Sequence, residues 1–142
     1  MATTTHSLAE QLAETRAGFQ QQVSQDIKAT MGAATEALEA SDIASQALTV
    51  GDTAPDFELP DATGQSVRLS ELLKQVPVVI NFYRGEWCPY CNLELRAFQN
   101  LLPEFQQAGA TLVAISPELP DHSLSVSEKH SLEFAVLSDV GN

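Results

Sequence analysis

The feature that most constrains this chain is an apolar run, Val78-Val79-Ile80-Asn81-Phe82-Tyr83, followed closely by Trp87-Cys88-Pro89-Tyr90-Cys91. A near-continuous apolar run of this length reads as a strand buried on both faces. The proline then marks the start of a helix, because its missing N–H would be unpaired in the first turn anyway. The stretch that follows carries Leu95, Phe98 and Leu102 on one helical face. Thr111 to Ser116 reads as a second buried strand, stopped by Pro117. Asp121 to His130 reads as a helix and Phe134-Ala135-Val136-Leu137 as a third short strand. Strand, helix, strand, helix, strand implies βαβ crossovers, hence an α/β domain on a parallel sheet.

Upstream, Phe57-Glu58-Leu59 and Ser66-Val67-Arg68-Leu69 alternate in period two around Asp61-Ala62-Thr63-Gly64, the pattern of a short hairpin. Ser70 is expected to cap a single turn through Leu72 and Leu73. Composition changes at Thr49-Val50-Gly51-Asp52-Thr53-Ala54-Pro55, which divides the chain into a helical extension, 1–48, and a domain, 49–142. Within the extension Leu8, Leu12, Phe19, Val23, Ile27 and Met31 recur mostly four apart. Gly18 and Gly32 are expected to interrupt or end helices there. Ala33 to Ala40 continues as an Ala-rich helix, and Ser41-Asp42 starts a short third turn or cap. The apolar stripe needs a surface to pack on, which suits a packing or dimerisation element.

The chain carries 19 acids against 7 bases, a net charge of −12. Nucleic acid and anionic membrane surfaces both require basic patches, so neither is expected as a partner. No stretch reaches the roughly 18 apolar residues of a membrane span. No charged segment followed by an apolar run opens the chain as a secretory signal would. The expectation is a cytoplasmic protein. Its two cysteines are too few and too close for a secreted disulfide scaffold.

Cys88 in the helix N-cap region and Cys91 in the first turn lie near unpaired backbone N–H groups and the positive end of the helix dipole. That placement stabilises thiolate and can lower a cysteine pKa from ~8.5 into the range ~3.5–7.5. Two cysteines three apart at a helix start can also close a disulfide with little backbone movement. Zinc needs about four ligands, and His6, His122 and His130 offer no second pair at a familiar spacing. Inert packing remains open, though a strand-to-helix junction is a poor place for it. Arg84, four residues before Cys88, can stabilise a thiolate or polarise a peroxide oxygen, or be a solvated loop arginine. Glu94, three after Cys91, can orient Arg84 or Arg96, or be a surface glutamate. Trp87 is expected to cover the cysteine pair rather than enter the core.

The segment Phe82-Tyr83-Arg84-Gly85-Glu86-Trp87-Cys88-Pro89-Tyr90-Cys91-Asn92-Leu93-Glu94 resembles the active-site segment of the alkyl hydroperoxide reductase/thiol-specific antioxidant (peroxiredoxin) superfamily, in its CxxC-carrying branch. Val50 to Pro60, Ala114-Ile115-Ser116-Pro117 and Leu137-Ser138-Asp139 add to the resemblance, which covers about residues 49–142. It implies a thioredoxin-like fold without the usual C-terminal strand pair and last helix. It also implies that those strands would flank the cysteine-bearing strand. An unpaired apolar edge at Val78–Tyr83 is therefore expected, in a fragment of a longer protein or an obligate homodimer or higher oligomer. Matched residue by residue, Cys91 falls on the family's peroxidatic cysteine. Cys88 replaces the threonine that hydrogen-bonds the thiolate, and Arg84 replaces the shielding proline. The family's activating arginine comes from a later strand that this chain does not contain.

The resemblance implies a thiol peroxidase without metal or organic cofactor. Cys91 would attack the peroxide, Cys88 would resolve the sulfenic acid as a disulfide, and a thioredoxin-type dithiol would restore the pair. Two alternatives stand beside it. One is a disulfide oxidoreductase in which Cys88, expected to be the more exposed cysteine, attacks first. The other is a redox-responsive interaction module without turnover.

Overall fold

The computed structural model describes residues 6–141. These residues group into two compact units, one holding residues 6–12 and 56–141 and the other Ala13–Pro55.

The first unit is built on the three runs singled out above. They form β3 (Val78–Phe82), β4 (Thr111–Ser116) and β5 (Ala135–Ser138), in the order β3-β4-β5 and parallel throughout. The helix α4 (Pro89–Gln107) connects β3 to β4, and α5 (Pro120–His130) connects β4 to β5. Upstream lie the antiparallel hairpin of β1 (Glu58–Pro60) and β2 (Ser66–Arg68), then the single turn α3 (Leu69–Leu73). A bridge from Asp61 to Leu137 joins the hairpin to β5.

Side chains alternate across a strand, so β4 feeds two cores. Leu112 and Ala114 join Leu95, Leu102, Val126 and Val136 under the helices, in the cluster that also holds Tyr83, Cys88 and Cys91. Val113 and Ile115 face the other way with Leu137, covered by Phe57, Leu59 and Leu72. Each fully buried leucine contributes about 1.5–3 kcal/mol relative to exposure.

Three local expectations need correction. The run Val78–Tyr83 is not buried on both faces as a whole. Its residues 78–81 are half-buried and Phe82 is 73% exposed, because β3 is the outer strand among the described residues. The strand buried throughout its centre is β4. Ser70 is not a cap, since α3 begins at Leu69. Ser70 instead donates its N–H and hydroxyl to the Asp56 carboxylate, at 2.8 and 2.7 Å, so Asp56 ties down the turn from a distance. Gly18 and Gly32 lie inside helices and interrupt neither.

The second unit is helical. The helix α1 (Leu8–Gln22) runs into it from the first unit. The next helix, α2 (Gln25–Ala40), starts at Ser24, whose hydroxyl accepts the Ile27 N–H at 3.4 Å. The chain breaks at Val23-Ser24 because a serine there competes for that backbone donor, which no glycine side chain can do. A short 3-10 turn over Ile43–Gln46 follows. Neither α1 nor α2 contains a fully buried residue.

Candidate active site

The site forms where β3 ends. Tyr83 closes the strand through its N–H to Ile115 O and is itself buried. The chain turns at Gly85, with φ +148°, a conformation that side chains rarely adopt. A Cβ at this position would lie 2.6 Å from the Glu118 carboxyl and 2.7 Å from Trp87 Nε1, so any other residue would strain the backbone and displace these side chains. The turn returns through Cys88 N–H to Gly85 O and delivers Cys88 as the N-cap of α4. Pro89 takes the first helical position, as its sequence position implies.

Both thiols are free and close together, with the Cys91 S–H donating to Cys88 Sγ over 2.7 Å. Cys88 Sγ also accepts the Cys91 N–H at 3.3 Å and an Arg84 Nη–H at 3.1 Å. Three donors thus converge on one sulfur. Burial opposes ionisation of Cys88, but the Cys91 thiol, the Cys91 N–H and the Arg84 guanidinium outweigh it and hold the pKa below that of an ordinary thiol. Burial pushes the Cys91 thiol up, and the neighbouring Cys88 pushes it further. Cys88 is therefore the more readily ionised of the two sulfurs, with the Cys91 S–H directed at it.

Arg84 is placed by Trp87, over whose ring its guanidinium lies at 5.0 Å from the centroid. Trp87 is 65% exposed and stays outside the core. Cys88, expected to be the more exposed cysteine, is the less exposed one, at 0% against 8% for Cys91. The N-cap position turns its sulfur inward under the loop. Glu94 is not drawn into the cluster. Among the described residues it forms no ion pair with Arg84 or Arg96.

A polar network missed in the sequence holds the loop from outside. The Glu86 N–H donates to Glu118 Oε2 at 2.7 Å, and the Glu86 carbonyl accepts the Asn92 side-chain amide at 2.8 Å. Its carboxylate accepts the Ser125 hydroxyl at 2.8 Å and lies 3.5 Å from His122 Nδ1. The Ser125 bond, aided by His122 and Lys129, keeps the Glu86 carboxyl below the usual range. Glu118 follows β4 and Ser125 sits on α5, some 30 to 40 residues from Glu86 in sequence, so periodicity carries no trace of them. The one local signal was Gly85. An open groove of about 480 Å³ lies beside the loop, lined by Glu86, Trp87, Pro89, Asn92, Glu118, His122 and Lys129.

Residues 50–142 match the family model described as AhpC/TSA family. A chloroplastic peroxiredoxin Q of Sedum lineare is 38% identical over 95 residues, 67% of this chain and 50% of that protein. The chloroplastic peroxiredoxin Q of Populus jackii is 37% identical over 92 residues, 65% of this chain and 43% of its own length. Among solved structures, peroxidoxin BcpB from Mycobacterium tuberculosis superposes with a TM-score of 0.64 at 38% identity, covering 66% of this chain and 61% of that one. The chain spans about half the length of the curated relatives it matches. The architecture around the cysteines is that of the thioredoxin-like peroxiredoxins.

Proposed function

The chain belongs to the AhpC/TSA family, and on that premise we propose that its Cys88–Cys91 pair reduces hydrogen peroxide or an organic hydroperoxide at the expense of a thioredoxin-type dithiol. The observation that carries the reading is the 2.7 Å contact between the two sulfurs, with Arg84 and the Cys91 N–H aimed at Cys88. A thiolate and a thiol at that distance can exchange one proton without solvent.

The mechanism uses this proton. As peroxide reaches the slightly more exposed Cys91, its proton passes to the Cys88 thiolate. Cys91 sulfur attacks the near peroxide oxygen and the O–O bond breaks. Cys91 becomes sulfenic acid, and the leaving alkoxide or hydroxide takes the proton back from Cys88. The regenerated Cys88 thiolate then attacks the Cys91 sulfenic sulfur, forming the disulfide and expelling hydroxide. Two electrons leave the dithiol and reduce one peroxide to hydroxide plus an alcohol, or plus water where the substrate is hydrogen peroxide. An external dithiol returns them by thiol–disulfide exchange. In this scheme Cys88 serves twice, first as proton acceptor and then as resolving thiol. Arg84 keeps it anionic when the proton is absent, while no geometry supports a part for Glu94.

Two cysteines three apart, without a wider disulfide framework, suit a compartment that keeps thiols reduced, for which we propose the cytoplasm. No helix of the described residues is long and apolar enough to cross a membrane. The test of the function is peroxide consumption coupled to thioredoxin and its reductase. Wild type is expected to turn over continuously, and Cys88→Ser to stop after a single equivalent. Sustained reduction of a protein disulfide without peroxide consumption would replace this reading with that of a disulfide oxidoreductase.

A further inference from the structure

We propose that Glu118 is a positioning residue for the thiolate, acting on Cys88 through the backbone of the loop between them. The proposal rests on the reading of the cysteine pair as the redox centre, but it concerns how that centre is held. Glu118 comes from the chain that leaves β4, not from the cysteine-bearing segment. Its own N–H donates to Ser116 Oγ at 3.3 Å, and Ser116 is a fully buried residue at the end of β4. The carboxylate then accepts the Glu86 N–H at 2.7 Å.

That bond is the one contact in which the Glu86 N–H is held from β4's end of the fold, beside the Asn92 bond to the Glu86 carbonyl and the Ser125 bond to its carboxylate, in the middle of the turn whose two ends matter. Two residues before Glu86 is Arg84, which donates to Cys88 Sγ at 3.1 Å. Two residues after it is Cys88, whose N–H returns to Gly85 O at 3.1 Å. Arg84 is exposed, and both it and the Trp87 ring over which it lies belong to this loop. Its hold on the sulfur depends on the loop presenting it. Gly85, glycine at φ +148°, sits against the same carboxylate. A Cβ there would lie 2.6 Å from both Cδ and Oε1 of Glu118, so the turn is shaped around this carboxylate. Charged and titratable groups reach the loop from every side. They are Arg84 and Cys91 in its own segment, Tyr83 at the end of β3, Glu118 after β4, and His122 and Lys129 from α5 with Glu86 between them. Of these, Arg84 and Cys91 bond Cys88 Sγ directly, and Glu118 works only through the chain.

The experiment is a pH titration of thiolate absorbance in the reduced full chain, for wild type, Glu118→Ala, Glu118→Gln and Gly85→Ala. Glu118→Ala removes the acceptor and is expected to move the first thiol titration upward, cutting the thiolate fraction at neutral pH by about tenfold. Glu118→Gln keeps an oxygen acceptor without the charge and is expected to titrate near wild type. Gly85→Ala presses on the same carboxylate and on Trp87 and strains the turn at φ +148°, and is expected to shift the titration upward at least as far as Glu118→Ala. Circular dichroism separates this from a loss of fold, which would not restore ionisation in the glutamine variant alone. If Glu118→Ala does not fold, Gly85→Ala and Glu118→Gln decide. Glu118→Ala or Gly85→Ala titrating as wild type in a folded chain overturns the proposal, as does a Glu118→Gln that titrates with the alanine variant. The titration needs no peroxide, so a chain that titrates as predicted yet consumes none would count against the peroxidase reading alone.

Discussion

The segment Tyr83–Asn92 and the helical unit Ala13–Pro55 are held by different physics. In the first, hydrogen bonds arrive from residues 30 to 40 positions away and two cysteines are buried in the core cluster. In the second, hydrogen bonds are mostly local, such as Thr30 and Thr35 hydroxyls donating to carbonyls four residues back, and no residue is fully buried. Long-range polar pins fix a reactive group within fractions of an ångström, which is what catalysis requires. Local caps only make a helix, and they leave its apolar stripe, with Ile27, Met31 and Leu38 exposed, without a fixed role in the chemistry.

The comparison is broken most severely at the sulfurs. Cys91→Ser is expected to abolish peroxide consumption altogether in a coupled assay, since the remaining sulfur, Cys88, has no exposed surface through which peroxide could reach it. Any sustained turnover in that variant would break the assignment.

Arg84→Ala comes next. Cys88 titrates below an ordinary thiol, so in wild type the peroxide rate falls only as the pH drops through that lowered midpoint. Without the guanidinium the midpoint moves up, and the rate at neutral pH is expected to fall about tenfold and recover in alkali. A pH–rate profile identical to wild type would show that Arg84 is a solvated loop arginine after all.

Leu95→Ala tests the platform under the cysteines. Leu95 is fully buried on α4, and truncation is expected to cost about 2–5 kcal/mol in urea unfolding. The smallest effect sharpens the other side of the contrast. Ser24→Ala removes the α2 cap and is expected to cost about 1 kcal/mol or less in helix stability while leaving the peroxide rate unchanged. A large loss of activity there would mean that the helical unit takes part in the chemistry.

How much of this was legible in the sequence follows the same divide. The strands at Val78 and Thr111 and the helix start at Pro89 were legible, because hydrophobic runs and a helix-start proline are local signals. The break between α1 and α2 was misplaced at glycines, which are tolerated inside a helix when nothing else ends it, whereas Ser24 does. Asp56 was invisible as the partner of Ser70 because it acts across 14 residues. The cysteines, Arg84 and Trp87 were found from spacing, but their order of exposure was inverted. Exposure depends on how the loop folds over the N-cap, and that is set by Glu118 and Ser125, whose approach no periodicity records.

The most direct test of the central claim, that the Cys88 thiolate draws the proton from Cys91 and Cys91 then attacks, is to locate the first oxidised sulfur. Cys88→Ser and Cys91→Ser would each receive one equivalent of peroxide in the presence of a sulfenic-acid trap, with the adduct placed by peptide mass spectrometry. The account predicts a trapped adduct on Cys91 in Cys88→Ser, formed more slowly than the wild-type disulfide because the proton acceptor is gone, and none on Cys88 in Cys91→Ser. A rapid adduct on Cys88, with Cys91 unreactive, would contradict it and make Cys88 the attacking sulfur.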